Sequence, residues 1–438
     1  MTSTTRILLA LAASATACSS TDLSGHKAPG TAASNDTAAD SVHPGDSVDS
    51  AEPTDSADSG DTADSGDTAE PPPPTLGLRG LLIAQDWGRI DAPHGDGAGQ
   101  YRFIVLQESM ARILPDVRAS NPDARILAYQ KVGGMRADGD DNPSTGIQFH
   151  EADGIHEDWF LHDAAGNRLI YCDYPEVWAA NIGSASYQQR WLDNVRDRLI
   201  RDGFDGVMMD DVNTFPGHCL GSRGTPIVEY PTDEAYGDAV VDFMEAVGPE
   251  LIAAGLLVTP NVAMNPWDDV MRGQALAIAP HTTHITREYW MRWDDSENFT
   301  GPNWESTLTF YEDVEALGVG FQALTYGPGH EGVLAGQRFG RASFLLAWDG
   351  EADSAWGYKD ERVDPWSTEW AIDPGVPTGP READGPGWRR PYSGGTVLVN
   401  AHETDTHTFS LHRPHTDGDG NTVEEVVLGP GEAGVLVY

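Results

Sequence analysis

The feature that most constrains this chain is an alternation that begins after Leu76, where short β-type runs are separated by longer stretches with helical spacing. Strands are expected at 80–84, 103–107, 125–130, 206–210, 256–261, 284–289, 320–326 and 343–348, with helices at 108–120, 186–202, 233–254 and 304–317. Strands and helices in turn imply parallel strands joined by crossovers, and about eight repeats is the number that closes a barrel of about 250 residues. The expected fold is therefore α/β, a (β/α)8 TIM barrel over residues 76–390. Toward the C-terminus the pattern becomes TVLVNAHETDTHTFSLH and VEEVVLGPGEAGVLVY, which predicts a small antiparallel β module over 391–438. Asp417, Asp419 and Asn421 there partly match a calcium loop but lack its Gly and Glu, so a tight turn is expected.

One stretch breaks the alternation. Residues 135–174 carry Gly, Asp, His and aromatic side chains, and WFLHDAAGNRLIY contains a Gly166-Asn167 turn. This predicts a small hairpin inserted after the third strand, where it would wall the barrel mouth.

Ahead of the barrel, MTSTTRILLALAASATAC has one positive charge at Arg6, an apolar run from Ile7 to about Ala15, and small residues before Cys18. That is the pattern of an export signal over 1–17, too short to span a bilayer. Ala15-Thr16-Ala17-Cys18 resembles a bacterial lipoprotein processing box, which implies lipidation of Cys18 and anchoring to the cell envelope. Ser19 in place of Asp after that Cys points to the outer membrane or cell surface. Residues 18–75 are Ser, Thr, Ala, Asp and Pro with the near-repeat DSADSGDTADSGDTAEPPPP. Such a segment cannot bury enough apolar surface to offset its ordering entropy, so a disordered tether is expected. Part of the net charge of −42 sits there, and the sign disfavours nucleic acid and anionic lipid as partners. The lipid is the expected membrane contact, and the folded part is expected to be a monomer. Cys172 and Cys219 are the remaining cysteines, and both a disulfide and two free thiols stay open.

The chemistry is expected where strands run out at the C-terminal face of the barrel. In GFDGVMMDDVNTF, Val207 to Met209 read as packed strand and Asp210 as the first side chain that reaches the mouth. Side chains alternate along a strand, so Asp211 should point elsewhere and serve as a neighbour of the site. In HITREYWMRW, Glu288 ends the sixth strand; a salt bridge to Arg287 or Arg292 is its plain structural alternative. Two carboxylates facing one another across a cleft are the machinery of glycoside hydrolysis. Polar and aromatic groups at other strand ends complete a pocket for neutral ligands: Asp86, Trp87, Tyr129, Gln130, Lys131, Asn261, Trp290, Gln322, Tyr326, Trp348 and Asp349. Trp159, Trp178 and Trp267 also fall near strand ends or loops, where an indole face could meet a sugar. No phosphate-cradling Gly-rich loop and no His-x-His on the first strand is present, so no cofactor or metal is expected. His281 and His284 are read as core or surface histidines.

With these residues in view, the barrel resembles the bacterial glycosyl-hydrolase-like (β/α)8 families, in particular the hypothetical family numbered fifteen. Those are similar to polygalactosaminidase and α-galactosidase-type barrels. The matching text is NPDARILAYQ, GFDGVMMDDV, the Asn261 strand, ITREYW and the C-terminal VLVN and VVLGPGEAGVLVY runs. The resemblance implies an acid at the end of the fourth strand and another at the end of the sixth, carried here by Asp210 and Glu288. The expectation is an extracytoplasmic glycosidase acting on a poly- or oligosaccharide by a two-carboxylate mechanism, retaining with Asp210 as nucleophile and Glu288 as acid and base if the carboxyl groups lie about 5–5.5 Å apart, inverting with Asp210 as base if they lie about 6.5–9.5 Å apart. Two alternatives stay open: a carbohydrate-binding surface protein on the same scaffold, and a metal-dependent hydrolase using Asp210, Asp211 and nearby His.

Overall fold

The computed structural model describes residues 80–83, 101–137, 144–171, 174–216, 220, 226–293, 297–327, 333–359 and 367–438. All of them belong to one compact unit, Pro71–Tyr438. The expected signal, tether and Cys18, together with Asp86, Trp87, Cys172 and Cys219, lie outside the described residues.

Ten strands precede the C-terminal module: β1 (Gly80–Ile83), β2 (Tyr101–Gln107), β3 (Arg125–Lys131), β4 (Gly134–Arg136), β5 (Val177–Ala179), β6 (Gly206–Asp210), β7 (Leu257–Pro260), β8 (His284–Glu288), β9 (Gly320–Tyr326) and β10 (Ala355–Lys359). Eight of these form one parallel sheet in the order β7-β6-β3-β2-β1-β10-β9-β8. A parallel bridge between Asn261 and Thr286 brings its two ends together. There the Val262 N–H donates to the Thr286 carbonyl at 3.0 Å, and the Thr283 N–H donates to the Val258 carbonyl at 3.0 Å. The sheet is thus nearly closed into the expected barrel. Leu81, Phe103, Val105, Leu127, Tyr129, Met208, Leu324 and Ala355 fill its interior, so it is a packed core rather than a pore.

Helices α1 (Leu114–Ser120), α2 (Phe149–Ala152), α3 (Ala185–Asp202), α4 (Asp233–Ala253), α5 (Asp269–Ile278), α6 (Gly301–Ala316) and α7 (Val333–Ala347) complete the described α-helical elements. Most surround the sheet and bury their apolar sides against its outer face. The α5 helix went unnoticed in the sequence. It starts where the Asp268 side chain accepts the Val270 and Met271 N–H groups, satisfying two donors that the first turn leaves free.

The eighth expected strand, 343–348, is instead the end of α7, and the strand itself is β10. The reason is packing on two sides. The α7 helix lies between the barrel strands β9 and β10 and the C-terminal sheet, so its last turns, from Ala342 to Ala347, are buried on every side and read like a buried strand.

The C-terminal module is a six-stranded sheet of β11 (Glu382–Asp384), β12 (Gly387–Tyr392), β13 (Gly395–Asn400), β14 (His407–Thr416), β15 (Thr422–Leu428) and β16 (Glu432–Val437). It is antiparallel, in the order β11-β12-β13-β16-β14-β15, and packs on α7 through β13 and β16. The 417–421 segment is a tight turn, in which Asp417 Oδ1 accepts the N–H groups of Asp419 and Asn421. The insertion after β3 folds as expected around Gly166, whose φ of 79° is easy for glycine. Leu169 N–H donates to the Leu161 carbonyl on its own hairpin, and β4 and β5 pair beside it.

Candidate active site

Register decides which strand ends meet. Lys131 on β3 is paired with Asp210 on β6, and the Asn261 N–H beyond β7 donates to the Met209 carbonyl at 2.7 Å. Asn261 is in turn bridged to Thr286, two residues before Glu288 on β8. Side chains two apart on a strand share a face, so Asp210, Asn261 and Glu288 all turn toward the barrel axis at one level.

The Asn261 side chain lies between the acids. Its Nδ2 donates to Asp210 Oδ1 and to Glu288 Oε2, both at 2.9 Å. Two oxygens held by the two hydrogens of one amide nitrogen stand about 5 Å apart, because the donors diverge by about 120°. Asn261 Oδ1 also accepts the Glu288 N–H at 3.3 Å, which fixes the amide orientation. The far oxygens of the pair are held separately: the Tyr129 hydroxyl donates to Asp210 Oδ2 at 2.5 Å, and the Tyr326 hydroxyl donates to Glu288 Oε1 at 2.8 Å.

These surroundings push the two acids in opposite directions. Burial raises the Asp210 pKa, but the Lys131 charge and the hydrogen bonds from Tyr129 and Asn261 outweigh it, and the net shift is downward. For Glu288, burial and then the Asp210 charge dominate, and the net shift is upward in spite of Lys359, Tyr326 and Asn261. One carboxylate is thereby kept ionised beside another that favours its proton, the separation that acid–base pairs require.

Asp211 points aside, as expected, and ion-pairs with the Lys131 ammonium. Its pKa is raised by burial and by Asp210; burial lowers the Lys131 pKa, but Asp211 and Asp210 reverse that and leave it raised. Lys131 also sits 4.7 Å from the centre of the Tyr171 ring, which comes from the insertion, and Asn213 Nδ2 donates to the Tyr171 hydroxyl at 3.1 Å.

The backbone bends sharply after each acid. Among the described residues, three that are not glycine have left-handed φ values: Asp211 at 62°, Tyr289 at 57° and Met291 at 63°. Two of them directly follow Asp210 and Glu288. Asp tolerates this region through its short polar side chain, whereas Tyr and Met pay a strain of about 1–3 kcal/mol each. The bend lays Tyr289 against the Tyr326 ring, with centroids 4.7 Å apart, and next to Trp293 at 5.2 Å.

Residues 118–396 match hypothetical glycosyl hydrolase family 15. The chain belongs to that family. None of the curated proteins matches it. Among solved structures it is similar to the glycoside hydrolase domain of PelA from Pseudomonas aeruginosa, at 12% identity and a TM-score of 0.41 over 65% of this chain and 95% of that one. It is also similar to a maltogenic α-amylase, AmyB, from Thermotoga neapolitana, at 8% identity and a TM-score of 0.43 over 82% and 98%. A GH31 dextranase from Flavobacterium johnsoniae aligns at 11% identity and a TM-score of 0.46 over 84% and 52%.

In this family-15 chain the mouth gathers Asp210, Glu288, Asn261, Tyr129, Tyr326, Lys131 and Asp211, but several expected pocket residues lie elsewhere. Gln130 faces outward and its amide donates to the buried Glu108 carboxylate at 3.0 Å, because it alternates with Tyr129 and Lys131. Trp290 is fully buried behind the strands, donating its indole N–H to the Gly340 carbonyl at 2.8 Å; the bend at Tyr289 sends it into the helical layer. Gln322 does face the barrel axis, but below Leu324, where it accepts from Thr286 Oγ1 at 2.9 Å. Trp348 and Asp349 fall at the opposite pole because they follow α7 and precede β10. Trp348 donates to the Ala352 carbonyl and Asp349 caps the Glu351 and Ala352 N–H groups.

Trp159 is buried under His156, Trp178 stacks on Phe149, and Trp267 is 43% exposed in the loop after β7. A hollow lined by Glu151, His156, Trp159 and Arg190 lies on the outer wall. Its one carboxylate is already paired with Arg190, so that hollow lacks a facing pair of acids. The Glu288 salt bridge to Arg287 or Arg292 does not form: Arg287 turns to the other face and donates to the Val262 carbonyl. His284 sits at the start of β8, bonded to Thr283 and the Asp353 carbonyl, and His281 precedes it; neither reaches the acids. Among the described residues, no group of three or more His, Cys, Asp or Glu is placed to hold a metal ion.

Sequence reasoning missed Tyr171, Asn213, Trp293 and Lys359 as residues of the mouth. Lys359 falls outside the expected pocket because the expected eighth strand, 343–348, lies one element before β10, although a lysine ending a β-type run is a readable signal.

Proposed function

We propose that this chain is a retaining glycoside hydrolase, with Asp210 as nucleophile and Glu288 as general acid and base, acting on a poly- or oligosaccharide. The observation that carries this reading is the single Asn261 nitrogen at 2.9 Å from both carboxylates. A spacing of about 5–5.5 Å suits direct attack on the anomeric carbon, whereas inversion needs about 6.5–9.5 Å to admit a water. The opposed pKa shifts support the same roles, since the depressed acid is ready to attack and the raised one to protonate.

In this mechanism an Asp210 oxygen bonds to the anomeric carbon while the glycosidic bond breaks and Glu288 gives its proton to the leaving oxygen. Water then attacks the same carbon, Glu288 takes its proton, and Asp210 departs as a carboxylate. Tyr129 and Asn261 hold Asp210 in line, and Lys131 and Asp211 form one wall of the site.

The test is reducing-end release from a panel of polysaccharides by the parent and by Asp210→Asn. Product leaving with the starting anomeric configuration is expected from the parent and no turnover from the variant. Equal hydrolysis by both would overturn the assignment.

Export and lipidation at Cys18 belong to the same proposal and are supported by the pattern of residues 1–18. Incorporation of labelled palmitate that Cys18→Ala abolishes is the expected result.

A further inference from the structure

The chain contains three lysines, Lys27, Lys131 and Lys359, and twenty-four arginines. Among the described residues, Lys131–Asp211 is the one side-chain ion pair that uses lysine; the rest use Arg or His. Yet both lysines of the folded part end strands at the barrel mouth, Lys131 on β3 and Lys359 on β10. An ammonium is a compact point charge with three rotatable donors, suited to a crowded strand end where a planar guanidinium needs a wide slot.

Lys359 is held by register. It is paired with Tyr326 on β9, and its Nζ donates to the Tyr326 hydroxyl oxygen at 3.3 Å while lying 5.2 Å from the ring centre. Tyr326 in turn donates its hydroxyl to Glu288 Oε1 in a 2.8 Å hydrogen bond. A donor on the phenol oxygen strengthens the bond that the phenol makes, so ammonium, hydroxyl and carboxylate form one polarised chain.

We propose that Lys359 is a positioning residue for Glu288, fixing Oε1 through the Tyr326 hydroxyl and supplying the positive charge that lets the same carboxyl release and recover a proton in each turnover. This rests on the reading of Glu288 as acid and base. The described groups that face Glu288 are Asp210 from β6, Asn261 beyond β7, Tyr326 from β9, Lys359 from β10 and Tyr129 from β3. Burial and the Asp210 charge favour the protonated carboxyl, and Lys359 is the charge that opposes them.

The need for that charge changes during the reaction. When Asp210 bonds to the anomeric carbon and the leaving oxygen takes the Glu288 proton, Asp210 becomes a neutral ester and Glu288 a buried anion. Lys359 then stabilises that anion until water gives up its proton to Glu288 and its oxygen displaces Asp210.

The experiment is a carboxyl 13C titration of the full chain labelled at glutamate, with the Glu288 resonance identified by its loss in Glu288→Gln. Lys359→Met is expected to raise the Glu288 midpoint by about one unit or more. Tyr326→Phe should also raise the midpoint by removing the connecting hydroxyl. A midpoint that stays at the parent value in Lys359→Met, or in Tyr326→Phe should the first variant fail to fold, would overturn the proposal. The titration needs no substrate, so loss of the glycosidase reading, seen as turnover by Asp210→Asn, gives a different result from loss of this one.

Discussion

The two poles of the barrel each bury a carboxyl group, and the contrast between them separates a structural acid from a chemical one. At the mouth, Glu288 shares one amide with Asp210 and feels its charge. At the other pole, Glu315 near the end of α6 accepts from Ser354 Oγ at 2.6 Å and from the Asp349 N–H at 2.7 Å. Burial drives the Glu315 pKa up to about 7, the Asp349 charge adds to it, and the hydrogen bonds from Ser354, Tyr311 and the Asp349 N–H oppose it; among the described residues no side-chain amide joins the two carboxylates. Both acids are raised by desolvation, so a raised pKa alone does not mark a catalytic group. What differs is the partner. Glu315 pins α6 to the segments ahead of β10, while Glu288 is set against a second, ionised acid at a strand end, and a left-handed residue directly follows each of the two.

Four substitutions test that contrast, and the first removes the ionised acid. Asp210→Asn should lower kcat by about 10⁴-fold or more while leaving the melting temperature near that of the parent, as measured by initial rates and thermal unfolding. If unfolding and activity fell together, the mouth would be a structural cluster like the opposite pole. Glu288→Gln should cost about 10²–10⁴-fold on an unactivated glycoside, and less when the leaving group needs no proton, which a pair of substrates differing in leaving-group acidity will read.

Asn261→Ala should be milder, about 10–100-fold in kcat, with a distinctive pH signature. Its amide lowers the pKa of both acids, so its removal should move both limbs of the pH–rate profile upward. In the parent, activity should fall on the acid side as Asp210 gains a proton and on the alkaline side as Glu288 loses one.

The smallest effect on turnover belongs to Glu315→Gln, whose signature is in stability. The Glu315 pKa of about 7 in the folded chain lies above its ordinary value of 4.5, so the native state holds the proton more tightly. This contribution is fully present below about pH 4.5 and is lost as pH rises to about 7, an amount on the order of 3 kcal/mol. Chemical denaturation of parent and variant across that interval should show the parent losing stability relative to Glu315→Gln as pH rises. Parallel curves would mean that Glu315 does not take up a proton on folding.

Much of this protein was legible in its residues. The alternation of β-type and helical runs determined the barrel, because parallel strands need covering helices; the abrupt end of Val207-Met208-Met209 in Asp210 marked a strand running into the mouth. Alternation along the strand predicts that Asp211 parts from Asp210; in the structure it stands past the end of β6, and its left-handed φ carries its carboxylate to Lys131. The eighth strand was hidden because the last turns of α7, covered on both sides, have the apolar texture of a buried strand. Trp290, Gln130 and Trp348 show the same limit at single residues: a position near a strand end does not say which face or which pole it occupies. Only the tertiary structure decided that one asparagine amide ties Asp210 to Glu288 and that Lys359 stands behind Tyr326. Those contacts join strands distant in the chain, and their geometry is set by barrel register and by left-handed turns that local composition does not encode.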